Sequence, residues 1–176
     1  MSMQKFNARM LTLAGAVALA LGAASVADAA TATSNLSVTA SVSSNCLIST
    51  AAVAFGAYDP IGANAAAALN GTGTVSVTCS TGASTTVTLG QGSNPDTGST
   101  AAAPIRRLKD AGTNFLSYAL YSDAPRTTVW GDTVGTGLAH TGTGTLTALT
   151  VYGQIPAGQN VPAANYSDTV VATVTF

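Results

Sequence analysis

The chain has 176 residues, of which 47% are hydrophobic and only 7% charged, with a formal net charge of −1. That length suits one domain and a short leader. Its few scattered cations cannot supply the counterion release that drives nucleic-acid binding, so no nucleic-acid partner is expected.

Residues 1–29 read as a secretory signal peptide. Lys5 and Arg9 form a positive start, Met10 to Ala24 is apolar and uncharged, and Ala27-Asp28-Ala29 offers a small-x-small cleavage site. The apolar run of about 15 residues is shorter than the roughly 20 needed to span a bilayer. Beyond the leader, Arg106, Arg107, Lys109 and Arg126 stand against Asp59, Asp96, Asp110, Asp123, Asp132 and Asp168, and the chain contains no Glu. Cys46 and Cys79 are its two cysteines. An even pair in an exported chain oxidises, so one disulfide is expected, and closing that loop stabilises a fold by roughly 3–4 kcal/mol in the chain-entropy account.

From Ala30 to Asn45, Leu36, Val38, Ala40 and Val42 share one parity and Ser and Thr the other. This is strand-like alternation. It fits either a first strand running into Cys46 or an extension carrying side chains for another subunit's groove. Val53-Ala-Phe-Gly-Ala-Tyr-Asp-Pro60 is a short apolar piece ended by a turn. Residues 63–69 are the one place for a short helix. Gly71 to Cys79 predicts a strand with Val75, Val77 and Cys79 on one face, and Thr85 to Leu89 another with Val87 and Leu89 inward. Residues 90–99 form a turn-rich loop.

Phe115 to Tyr121 is apolar on both parities, as in a central strand buried on two sides or near a twist. Trp130 fills core, and its indole N–H needs a partner. Gly142 to Gln154 supplies a further strand. Tyr166 to Phe176 alternates almost without fault and has no strand after it. Seven or so strands with turns between them predict an all-β sandwich of immunoglobulin type.

Catalysis finds little support. His140 is the single histidine and sits among Gly and Thr, in what reads as a solvated loop. Five of the six aspartates outside the leader stand in turn contexts, where their side chains bond nearby backbone. Asp168 differs, because it lies on the inward parity of the last strand, and Tyr166 suits a tyrosine corner. Arg106, Arg107 and Lys109 form the one basic cluster, which reads as a solvated strand end. No metal or cofactor is expected.

Phe55-Gly-Ala-Tyr-Asp-Pro60, Tyr118-Ala-Leu-Tyr-Ser-Asp123, Thr128-Val-Trp-Gly-Asp132, Val151-Tyr-Gly-Gln-Ile-Pro-Ala-Gly-Gln159 and the closing Tyr166 to Phe176 strand together resemble the spore coat protein U family. That family includes shaft subunits of archaic chaperone-usher pili. The resemblance implies an incomplete immunoglobulin-like sandwich that lacks its last strand and is completed by donor-strand complementation. Residues 30–41 would then be the donor-strand extension, with Leu36, Val38 and Ala40 as donor side chains, and residues 42–176 the pilin domain. Val170, Ala172, Val174 and Phe176 would line the acceptor groove and meet the chaperone. The implied partners are a periplasmic chaperone, an outer-membrane usher and neighbouring subunits, and the implied destination is a surface fibre serving adhesion and biofilm formation. Two rival readings are a self-complete secreted or spore-coat protein of the same fold, and a small secreted hydrolase or sugar-binding module built around Trp130 and the tyrosines.

Overall fold

The computed structural model describes residues 29–176. The leader read at 1–29 therefore lies, apart from Ala29, outside the described residues. The described chain divides into a unit ending at Ala40 and a unit of Ser41–Phe176. Residues 29–45 contain no strand or helix.

Eight strands follow: β1 (Cys46–Ala54), β2 (Leu69–Cys79), β3 (Ser84–Leu89), β4 (Arg106–Lys109), β5 (Phe115–Tyr121), β6 (Leu138–Thr141), β7 (Thr147–Ile155) and β8 (Ala172–Thr175). A single helical turn, α1 (Ala63–Ala66), lies between β1 and β2. The strands form a five-stranded sheet in the order β1-β2-β7-β5-β4 and a three-stranded sheet in the order β6-β3-β8. Every pairing between these strands is antiparallel, so the fold is an immunoglobulin-like antiparallel sandwich.

The alternation read from the sequence places the core. Val75, Val77 and Cys79 on β2, Val87 and Leu89 on β3, Leu116, Tyr118 and Leu120 on β5 and Val151 and Ile155 on β7 are all buried. In β5 the other parity is half-buried, so its apolar residues do not mark a strand enclosed on both faces. Trp130 is fully buried, and its Nε1 donates to the Val87 carbonyl at 2.8 Å, which satisfies the one polar group its burial removes from water.

Leu36 to Val42 is no strand of this chain's sheets, so of the two readings of that segment the first strand running into Cys46 falls, and three expectations need correction. The first strand begins at Cys46, because β2 pairs Cys46 with Cys79 and continues from there. His140 lies in β6, paired with Thr85 of β3, and its Nε2 is shielded from solvent without a partner. The 138–141 segment looks like a loop only because the glycines on either side mask a four-residue edge strand. Arg106 is fully buried, not a solvated strand end. Its Nε donates to the carbonyl of Gly90 (2.8 Å) and its Nη2 to those of Leu89 (2.7 Å) and Trp130 (2.8 Å), so backbone oxygens take the place of water at two of its three nitrogens, while Nη1 is buried without a partner. Finally, the closing segment is not one continuous strand. Ser167 bridges Lys109 of β4 through two 2.9 Å hydrogen bonds, and the chain then crosses to pair residues 172–175 with β3. It thereby touches both sheets.

The segments carrying the resemblance meet one another. The Tyr58 hydroxyl donates to the Pro156 carbonyl at 2.8 Å and accepts from the Gln159 amide at 3.0 Å. Where β7 stops at Ile155, the Gln159 side chain continues the ladder, accepting from Ser117 N at 2.7 Å and donating to Ser117 O at 2.9 Å. The Tyr166 hydroxyl donates to Pro162 O at 2.9 Å, four residues upstream, which is the bond a tyrosine corner makes.

Candidate functional site

β1 is an edge strand whose inward side chains lack a cover. Register places Cys46, Ile48 and Thr50 directly opposite Cys79, Val77 and Val75, so they share the inner face. Yet the β2 residues are buried while Ile48 and Thr50 remain exposed. The reason is numerical: five strands face three, and the smaller sheet ends at β8.

The resulting opening is a cleft of about 480 Å³. It is walled by Val53 and Phe55 on one side and Val170 and Ala172 on the other, and floored by Val75, Leu89, Leu120 and Val151. A second cleft of about 860 Å³ adjoins it along residues 56–61 and 160–167. Val53, Phe55, Leu108 and Asp168 line both, so the two form one groove.

Phe55 reaches the interior because β1 is irregular between Ala51 and Ala54 and because glycines receive it. Gly71 and Gly153 are register partners under the ring, and a Cβ on Gly153 would come within 2.7 Å of it. The ring then meets Tyr118 edge-on, with centroids 6.1 Å apart.

The Tyr118 hydroxyl donates to Asp168 Oδ2 at 2.6 Å, while Asp168 Oδ1 accepts from Ser93 N at 2.9 Å and Asn94 Nδ2 at 3.2 Å. Burial, and then the bond to this carboxylate, pushes the Tyr118 phenol well above its ordinary value. Burial also pulls the Arg106 guanidinium below its usual value, an effect opposed by Tyr118, Asp168 and Asp132. Asp168 therefore bonds loop backbone at the sandwich edge, as the sequence suggests, and also a core tyrosine, which it did not reveal.

Of the residues read as groove lining, Val170 and Ala172 wall the cleft, Val174 is half-buried against the core, and Phe176 is 55% exposed at the end of the chain. The residues read as donor side chains are exposed. Leu36 and Val38 are 87% and 84% exposed, and Ala40 is exposed too. Val42 is 93% exposed. Cys46 and Cys79 form the expected disulfide, which ties β1 to β2 within one sheet.

Catalytic geometry is absent among the described residues. No side-chain hydrogen bond joins His140 to a carboxylate or hydroxyl, and no group of three His, Cys or acidic side chains could hold a metal ion. Asp59, Asp110 and Asp123 act in turns, their carboxylates lowered by bonds from Gly62, Asn114 and Thr127 respectively. Trp130 is interior and offers no platform to a sugar.

Comparison with known proteins agrees with this architecture. Among solved structures, the chain is similar to the crystal structure of the CsuC-CsuE chaperone-tip adhesion subunit pre-assembly complex from archaic chaperone-usher Csu pili of Acinetobacter baumannii. The TM-score is 0.55 at 22% identity, and the match covers 77% of this chain and 40% of that one, so it speaks for the fold. Protein U of Myxococcus xanthus is 48% identical over 166 residues, covering 90% of this chain and 93% of that protein. The family model described as the Spore Coat Protein U domain matches residues 32–173, a span that includes most of the extension, the groove and most of the closing segment. The chain belongs to the Spore Coat Protein U family.

Proposed function

We propose that this protein is a structural subunit that polymerises by donor-strand exchange into a surface fibre of the archaic chaperone-usher type. The observation that carries this reading is the groove. Inward residues of β1 lie open beside the closing strand, while the same chain bears an alternating apolar segment, Leu36 to Val42, with no partner of its own. Burying each large apolar side chain of such a segment stabilises by roughly 1.5–3 kcal/mol. An added strand would also satisfy the free backbone edges of β1 and β8, which otherwise invite uncontrolled association.

In this reading residues 30–41 of one subunit fill the groove of the next. Before assembly a periplasmic chaperone lends a strand to the same groove and an usher handles export. The fibre would serve adhesion and biofilm formation. The likeness to a subunit solved with its chaperone supports the chaperone and the neighbouring subunit as partners.

A second reading has its own support. The coat in the family's name supports a structural coat protein of the same fold. One experiment separates the two. Deleting residues 30–41 from the mature chain abolishes polymerisation in the fibre reading, while the truncated domain still binds a synthetic peptide of residues 30–45. Undiminished assembly of the truncated chain would sink the donor assignment, and a fully stable monomer without chaperone or peptide would favour the coat protein.

A further inference from the structure

The groove is apolar along the stretch walled by Val170 and Ala172, and Asp168 is the one charged side chain that lines it there. A charged group in such a place discriminates between occupants. Its carboxylate has three donors from its own chain, Tyr118, Ser93 and Asn94, and an ionised carboxylate offers about four acceptor sites. An incoming strand that sets an apolar side chain beside it leaves acceptor capacity unmet, whereas a hydroxyl meets it.

Alternate residues of the closing segment read Asp168, Val170, Ala172, Val174, Phe176; the first four are half-buried, Phe176 is exposed, and β8 itself spans Ala172–Thr175. The matching parity of the extension, taken backwards, reads Ser44, Val42, Ala40, Val38, Leu36. The two series agree position by position, polar beside polar and then four apolar pairs. Reversal is the appropriate comparison, since every strand pairing in this sandwich is antiparallel and an added neighbour of β8 that keeps the pattern runs the same way. A slip of one residue turns the Ser and Thr face of the extension inward. A slip of two sets either Val42 or the disulfide-bonded Cys46 beside Asp168. The extension carries no charged residue between Ala30 and Asn45, so nothing in it repels the carboxylate.

We propose that Asp168 fixes the register of the incoming strand by taking Ser44 of a second copy beside it, which sets Val42, Ala40, Val38 and Leu36 against Val170, Ala172, Val174 and Phe176. This rests on the donor-strand reading above and carries the donor segment past residue 41 to Ser44. It makes Asp168 a specificity-determining residue for assembly, placed where apolar burial alone would tolerate two-residue slips.

The test is disulfide mapping in assemblies of the full mature chain. Val38→Cys combined with Val174→Cys brings two Cβ atoms to cross-strand distance, about 5 Å, and links neighbouring subunits on mild oxidation. Val38→Cys combined with Ala172→Cys or Phe176→Cys links at least roughly ten-fold less. Adding Ser44→Val to these backgrounds removes the preference for position 174 and spreads the links over the three positions, while Ser44→Thr retains it. Preferred linkage to 172 or 176 overturns the register and leaves the donor reading standing. An unchanged preference for 174 in Ser44→Val overturns the role of Asp168. No intersubunit link from any of the three pairs overturns the donor reading, and this inference with it.

Discussion

Arg106 shows how one side chain can join two sheets without an ion pair. It belongs to β4 of the larger sheet, and two of its three acceptors, Leu89 and Gly90, are the last residue of β3 in the smaller sheet and the one after it. Hydrogen bonds from a charged donor contribute roughly 1.5–3 kcal/mol each, and removing the donor strands the carbonyls it served. Arg106→Met fills a similar volume, so its expected cost, about 3 kcal/mol or more, reports those lost bonds and not a cavity; chemical denaturation of a peptide-filled subunit measures it. A cost under about 1 kcal/mol would show the carbonyls to be solvated instead. Nothing in Ile105-Arg-Arg-Leu-Lys109 distinguishes this arginine from its neighbour. Arg107, one position on, is a surface residue that pairs with Asp96 at 3.0 Å and lies over the Phe115 ring. Parity alone separated the two, and a four-residue edge strand is too short for parity to be read.

At the scale of elements, legibility followed pairing. β2, β3 and the inward side of the closing segment were visible in the sequence because their core-facing positions are apolar and alternate with polar ones, a period of two, whereas β5 was visible as an apolar run. β1 was invisible for the complementary reason: its inner face is uncovered, so Cys46 to Ala54 bears no strong alternation. The open groove was legible only through the family resemblance, since an uncovered strand edge leaves no mark on periodicity. Asp168 could be singled out as an inward acid, but its bond to Tyr118 joins residues 50 apart in sequence and needed the fold. The glycine floor beneath Phe55 follows the same logic. Gly153→Ala puts a methyl group into the Phe55 ring and equally against Val53, and overpacking of this kind costs about 1–3 kcal/mol. Thermal unfolding of the complemented subunit should show that loss, and Gly153→Ala combined with Phe55→Leu should recover part of it. A loss unchanged in the double variant would place the strain elsewhere.

The whole molecule is a sandwich whose two sheets differ in strand number, and the difference defines where it is open. The extension and the groove are complementary in pattern and belong to the same chain, as a repeating assembly of identical copies requires. Such an assembly is heterologous, each copy offering one surface and accepting another, so it grows as an open chain and does not close on a two-fold axis.

The disulfide between Cys46 and Cys79 then acquires a mechanical meaning. In the proposed fibre, pulling force would enter each subunit through its extension and arrive first at Cys46, the opening residue of an edge strand that could be peeled from β2 one hydrogen bond at a time. The covalent link sits at that point and passes the load directly into β2, the second strand of the larger sheet, so the hydrogen bonds of β1 are bypassed and must break together if they break at all. Single-fibre stretching should therefore show subunits of the Cys46→Ser, Cys79→Ser protein lengthening by release of β1 at markedly lower force than the disulfide-bonded protein. Equal forces would mean that the fibre yields at the groove before the load reaches the bridge.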